Sequence, residues 1–163
     1  MLVGVVSDTH DDLAFAQSAV DTFEDLGVET VIHCGDVVAP FTAGVFDRGF
    51  EFYAVRGNND GEWALADAIG DIGRYLGEMC ELDLDGASFA VYHGTAEPIV
   101  DALLASGTYD YVCRGHTHER VIEERSGTVH LNPGGLPIEG GDDRASVATV
   151  DTDAGTADHH HVD

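Results

Sequence analysis

The sequence predicts an α/β protein with one continuous core, and three observations carry the prediction. Short apolar runs recur along the chain, and most end in a cluster of glycine with aspartate, asparagine or histidine. The first half alternates strand-like with helix-like patterns, whereas the second half is mostly consecutive strand-like segments, which predicts an added antiparallel region. No repeat, low-complexity linker or composition shift marks a boundary, so residues 1–163 read as a single domain of ordinary size.

Leu2 to Val6 is a short apolar run of the kind that forms a strand buried on both faces. It stops in Ser7-Asp8-Thr9-His10-Asp11-Asp12. Apolar residues at Leu13, Phe15, Ala16, Ala19, Val20, Phe23 and Leu26 then give a helix over Asp12 to Leu26, closed by Gly27. Thr30 to Cys34 is a second strand, ending in Gly35-Asp36, and Pro40 opens a short helix through Val45 and Phe46. Phe50 to Val55 is a third strand, ending in Arg56-Gly57-Asn58-Asn59-Asp60, and residues 61–78 read as a helix with a loop.

Cys80–Leu84 and Ser88–Tyr92 flank Asp85-Gly86, the signature of a type I′ hairpin. The second of these strands ends in His93-Gly94. Pro98 to Ala105 reads as helix, and Tyr109 to Cys113 as a strand running into Arg114-Gly115-His116-Thr117-His118. Arg120–Glu123, Val129–Leu131 and Ser146–Val150 follow as short strands, and Asp153-Ala154-Gly155 turns a last hairpin. His159-His160-His161 then reads as a surface strand or a frayed end.

The charge balance is extreme: 31 acidic residues stand against seven basic ones, all arginine, for a net charge of −24. Such a chain repels itself unless salt screens it, and molar salt shortens the Debye length to about 3 Å. A salt-loaded cytoplasm of the halophilic kind accounts for this, and the charge argues against broad binding to nucleic-acid backbones, which needs a basic face. No apolar run approaches the roughly 20 residues of a membrane span, and no signal-like segment opens the chain. Cys34, Cys80 and Cys113, odd in number and without CxxC spacing, read as buried thiols of a reducing compartment.

Seven side chains at strand ends carry oxygen or nitrogen donors: Asp8, His10, Asp36, Asn58, His93, His116 and His118. Taken alone, Asp8 or Asp11 also suits a helix cap, and His10 a solvated loop. The recurrence of the pattern is what points to metal. The set has no thiolate and exceeds the needs of one tetrahedral zinc; it suits two borderline divalent ions sharing a carboxylate.

Asp-x-His, Gly-Asp, Gly-Asn, an isolated His-Gly and Gly-His-x-His, in this order, resemble the calcineurin-like metallophosphoesterases. The small archaeal and bacterial single-domain phosphodiesterase branch is similar through Ser7–His10, His33–Asp36, Val55–Asn58, Gly115–His118 and Asn132-Pro133-Gly134. The resemblance spans residues 1 to about 150. It implies a four-layer α/β/β/α sandwich of two mixed sheets with two metals at one edge. One ion would take Asp8, His10, Asp36 and His118; the other would take Asp36, Asn58, His93 and His116, with Asp36 as the bridge. It further implies two divalent cations, Mn first with Ni, Fe, Co or Zn as alternatives, and hydrolysis of a small phosphodiester by a metal-held hydroxide. Homo-oligomerisation is compatible with all of this. A weakly catalytic scaffold on the same fold, as in the related retromer subunit, is the alternative reading.

The sequence departs from the larger family at Asn59, where many members carry a histidine that helps protonate the leaving oxygen or bind phosphate. An amide is no proton donor near neutral pH, so general-acid help worth about 10²–10⁴-fold has to come from elsewhere. Arg56 is a candidate for a phosphate oxygen or for an ion pair with a nearby carboxylate, and Asp60 for a support of its loop. His33 reads as a hydrogen-bonded core histidine, and Trp63 as core, as a cover of the site, or as a partner surface.

Overall fold

The computed structural model describes residues 1–61, 63–138 and 144–162. Strands β1 (Leu2–Val6), β2 (Thr30–His33), β3 (Glu51–Ala54) and β4 (Arg74–Tyr75) run parallel. Strand β10 (Ser146–Asp151) joins β1 antiparallel, and β11 (Thr156–His161) pairs outside it. The six-stranded order is therefore β11-β10-β1-β2-β3-β4. A second sheet holds β5 (Met79–Leu84), β6 (Ala87–Tyr92), β7 (Tyr111–Cys113), β9 (Thr128–Asn132) and β8 (Val121–Arg125), in that spatial order.

Three apolar layers define four layers of structure. Helices α1 (Leu13–Leu26), α2 (Pro40–Ala43) with the 3₁₀ turn Gly44–Phe46, and α3 (Trp63–Ile72) cover one face of the first sheet through Phe15, Val20, Phe23, Phe46, Leu65 and Ile69. Val3, Val5, Ile32, Phe89, Val91 and Leu131 pack between the sheets. Helix α4 (Glu97–Ala105) covers the outer face of the second sheet through Val100 and Leu104. This is the α/β/β/α sandwich of two mixed sheets.

Local chemistry explains several boundaries. The Asp12 side chain caps α1 by accepting from the Phe15 N–H at 2.9 Å, and Gly27 ends the helix at φ 73°. Asp85 and Gly86 both take positive φ, 54° and 81°, as a type I′ turn requires. The histidine tail is a regular strand, its edge position set by pairing with β10.

Two expectations need correcting. The second sheet is mixed rather than antiparallel: β6, β7 and β9 run parallel, and its edge strands β5 and β8 are antiparallel. Helix α4 supplies the crossover that parallel pairing of β6 with β7 requires. Moreover β10 and β11 return to the first sheet, and β4 adds a two-residue strand within the stretch read as helix and loop.

Candidate metal centre

Parallel β1, β2 and β3 bring their carboxyl ends to one edge, the place where open α/β sheets hold ligands. The loops leaving these strands are tightly bent. Asp8, His10, Asp36, His116 and His118 all take positive φ, between 43° and 70°, as does the β-branched Val38 at 82°. Left-handed backbone at non-glycine residues costs on the order of 1–3 kcal/mol each and persists only where surroundings impose it. Asp60 is what imposes it around Asp36 and Val38. Its buried carboxylate accepts from the N–H groups of Asp36 (2.9 Å), Gly57 (2.7 Å) and Val38 (2.7 Å). The close approach leaves no room for larger residues: a Cβ on Gly57 would overlap Asp36 Oδ1, and one on Gly115 would overlap Ser7 Oγ and Asp8 Oδ2.

Side chains from five segments meet at this edge. His118 Nε2 lies 3.4 Å from Asp8 Oδ1, and His10 Nε2 lies 3.6 Å from both Asp8 Oδ1 and Asp36 Oδ2. His93 Nε2 lies 3.4 Å from Asp36 Oδ2, 4.0 Å from Asp8 Oδ1 and 3.0 Å from Asn58 Oδ1. Asp8, His10 and His118 form one group with metal-binding spacing, and Asp8, Asp36 and His93 a second. Asp8 belongs to both groups, and Asp36 Oδ2 lies 3.6 Å from His10 Nε2 and 3.4 Å from His93 Nε2. His116 enters differently. Its backbone N–H donates to Asp8 Oδ2 at 2.9 Å, and its ring meets that of His93 edge-on at 5.2 Å, outside both close groups.

Tautomers sharpen the picture. His93 Nδ1 donates to the Cys34 carbonyl at 2.8 Å, and His118 Nδ1 donates to the Leu136 carbonyl at 2.6 Å. In the neutral rings each Nε2 is then a bare lone pair, facing carboxylate and amide oxygens that are also acceptors. Asp8 Oδ1, fully buried, has no hydrogen-bond donor at all. Acceptors converging on acceptors in a buried space are stable only around cations, so the donor set fits divalent metal. Neither the Cys34 nor the Leu136 carbonyl carries a sequence signal, since any residue has one.

Electrostatics agree. Burial would raise the Asp8 and Asp36 carboxyls, but hydrogen bonds and the facing imidazoles outweigh it and hold both below the ordinary carboxylate value. His10 is raised, chiefly by the Asp8 carboxylate that its Nε2 faces at 3.6 Å. His93 is raised too, its burial outweighed by Asp36 and Asp8. The centre is thus a well of negative potential in which protons and metal compete.

The remaining candidates separate. Asn59 donates its N–H to Asp36 Oδ1 and its side-chain amide to Asp36 Oδ2, both at 2.8 Å, so it orients that carboxylate. Arg56 is turned to Glu78 (2.7 Å) and to the Asp60 carbonyl (3.0 Å), the ion pair rather than the phosphate contact. His33 is a buried support: Nδ1 accepts from the Gly35 N–H, and Nε2 donates to Thr9 Oγ1 at 3.1 Å. Burial pushes its pKa down to about 3. Asp11 is not the helix cap its position also suits; it ties the edge together by accepting from the Ala39 N–H (2.9 Å) and the Thr42 hydroxyl (2.7 Å).

A four-layer sandwich with an oxygen- and nitrogen-lined metal centre at the strand ends defines a class, the metallohydrolases of phosphate esters. The model of the calcineurin-like phosphoesterase superfamily domain matches residues 1–155, and the chain belongs to that superfamily. A phosphodiesterase of Methanocaldococcus jannaschii is 39% identical over 138 residues, covering 82% of this chain and 83% of the relative. The solved structure of an archaeal phosphodiesterase superposes with a TM-score of 0.91 at 34% identity, covering 99% of each chain. Vps29 of Entamoeba histolytica complexed with Zn²⁺ shares the fold, with a TM-score of 0.73 at 18% identity over 100% of this chain and 99% of that one.

Proposed function

We propose that this chain acts as a single-domain phosphodiesterase, residues 1–163, that uses two divalent ions, manganese first, on small phosphodiesters. The observation that carries the reading is the meeting of bare nitrogen lone pairs on His93 and His118 with the unsatisfied Asp8 Oδ1 and with Asp36 Oδ2. The phosphodiesterase that shares 39% of its residues supports the substrate class.

Asp8, His10, Asp36 and His118 would hold one ion, and Asp36, Asn58, His93 and His116 the other. Bound ions supply Lewis acidity toward phosphoryl oxygens and make water acidic enough to act as a nucleophile near neutral pH. The residues do the positioning: Asn59 holds both oxygens of Asp36, while Cys34 and Leu136 lock the imidazoles so that Nε2 faces inward. No imidazole stands in the Asn59 place to protonate a leaving oxygen, which favours esters of acidic alcohols. Among the described residues no helix is long and apolar enough to cross a membrane. The net charge of −24 fits a salt-loaded cytoplasm.

The test is hydrolysis of bis-p-nitrophenyl phosphate with Mn²⁺ or Ni²⁺ in molar KCl, against Asp36→Ala. Metal-dependent release that disappears in the variant is expected. A folded protein that turns over nothing with any metal would instead be the scaffold.

A further inference from the structure

The large exposed apolar side chains are not scattered. Among the described residues they are Leu13, Leu26, Phe41, Trp63, Ile99 and Ile138, and four of the six occupy the same kind of position. Leu13, Phe41, Trp63 and Ile99 each lie in the first turn of the helix that follows a ligand-bearing strand end. They come three to six residues after His10, Asp36, Asn58 and His93 respectively. Because β1, β2 and β3 are parallel, the helices leaving them start at the metal edge, and α2 packs on α3.

Trp63 is 82% exposed and Phe41 59%. Trp63 follows Asn59 by four residues, within about 14 Å along even a fully extended chain. Phe41 follows Ala39, whose N–H is bound by Asp11 beside His10. Both aromatics therefore stand in the first turns of packed helices that begin at the edge carrying the centre. Leaving a tryptophan this exposed on a surface otherwise kept hydrated by carboxylates forgoes burial that the sandwich offers elsewhere.

Charge indicates what would use it. Molar salt screens the net charge, so long-range attraction gives a phosphate anion no help, and Arg56 is already paired with Glu78. Affinity beyond the metals then has to come from contact that charge does not oppose. We propose that Trp63 and Phe41 form a subsite for an aromatic group of the diester, a nucleobase or an aryl ring, stacked beside the metals. The substrate class is accordingly phosphodiesters with at least one aromatic-bearing alcohol. The inference rests on the phosphodiesterase reading above and deepens it.

Trp63 is the single tryptophan of the chain, so its emission reports the subsite directly. In the metal-loaded protein in molar KCl, diphenyl phosphate and dimethyl phosphate are titrated as competitors of bis-p-nitrophenyl phosphate while tryptophan emission is recorded. Diphenyl phosphate is expected to shift the emission saturably, with a midpoint matching its Ki, whereas dimethyl phosphate does not. Trp63→Ala is expected to raise the Ki of diphenyl phosphate about tenfold, the change for one lost base–aromatic stack, with that of dimethyl phosphate within twofold. Phe41→Ala should act in the same direction. Turnover with an unaltered diphenyl phosphate Ki in both variants overturns the subsite and leaves the activity standing. Absence of turnover with every metal strikes the phosphodiesterase reading instead. An emission shift that follows protein concentration without ligand, matched by dimers in sedimentation, makes this surface a contact between copies and also overturns the subsite.

Discussion

Replacing Asp60 tests whether the centre is built by backbone or merely decorated with ligands. Asp60 binds no metal in the proposed arrangement, yet its carboxylate satisfies three N–H groups at 2.7–2.9 Å, two of them on residues at positive φ. In Asp60→Ala these donors lose their partner; a buried unsatisfied donor costs about 1–3 kcal/mol, and water entering the vacated space recovers part of it. A loss of about 3–5 kcal/mol follows, a large share of the 5–15 kcal/mol stability of an ordinary domain. Asp60→Asn keeps the shape but turns one oxygen into a second donor, so a loss of about 1–3 kcal/mol is expected. Relaxation of Asp36 should cost about 10–100-fold in metal affinity, the usual effect of losing a group that orients a ligand. The assay is guanidinium denaturation in molar KCl, together with metal binding followed by isothermal titration. If Asp60→Ala unfolds with the wild-type midpoint and binds two ions with unchanged affinity, the loop is held by something else and the reasoning fails.

His93→Ala should weaken one ion while leaving the other largely bound, since His93 belongs to only one of the two ligand groups; metal counting at full occupancy for both would refute this. Gly115→Ala drives a Cβ into Ser7 and Asp8 and should lower the thermal midpoint by several degrees with weakened metal binding, whereas Gly86→Ala, with open space around it, should disturb only its own turn. His33, with a folded pKa near 3 against 6.5 in the unfolded chain, stays neutral while the unfolded chain takes up a proton. Its contribution is therefore neutral above pH 6.5 and destabilises progressively below it, by about 2 kcal/mol at pH 5; a His33→Gln variant should show a correspondingly shallower loss of stability between pH 6.5 and 5. Asn59→His should raise turnover of alkyl diesters relative to p-nitrophenyl ones by restoring a proton donor, and an unchanged ratio with both metals bound would dispose of that role.

Much of the molecule is legible in the order of its residues. Periodicity and the Gly27 signal place α1 almost to the residue, though its cap is Asp12 rather than Asp8 or Asp11, and Asp85-Gly86 places its hairpin, because these depend on neighbours in the chain. The ligand motifs stand out for a similar reason: each is a local break at a strand end, and only their order joins them. Less visible are β4, the parallel centre of the second sheet and the return of β10 to the first. These are set by which strand edge is open for pairing, and a run of apolar residues does not record its partner.

Residue types alone set the chemistry on offer: oxygen and nitrogen donors without thiolate, and an acidic surface. How those donors face one another is the work of packing. It directs the Cys34 and Leu136 carbonyls onto imidazole nitrogens, puts Asp60 under a strained backbone and pairs Arg56 with Glu78. The same packing leaves Trp63 exposed in the first turn of α3. The difference is one of range. What an atom can donate or accept belongs to its own residue, whereas convergence of side chains from positions 8 to 118 depends on sheets and helices packing across the whole chain.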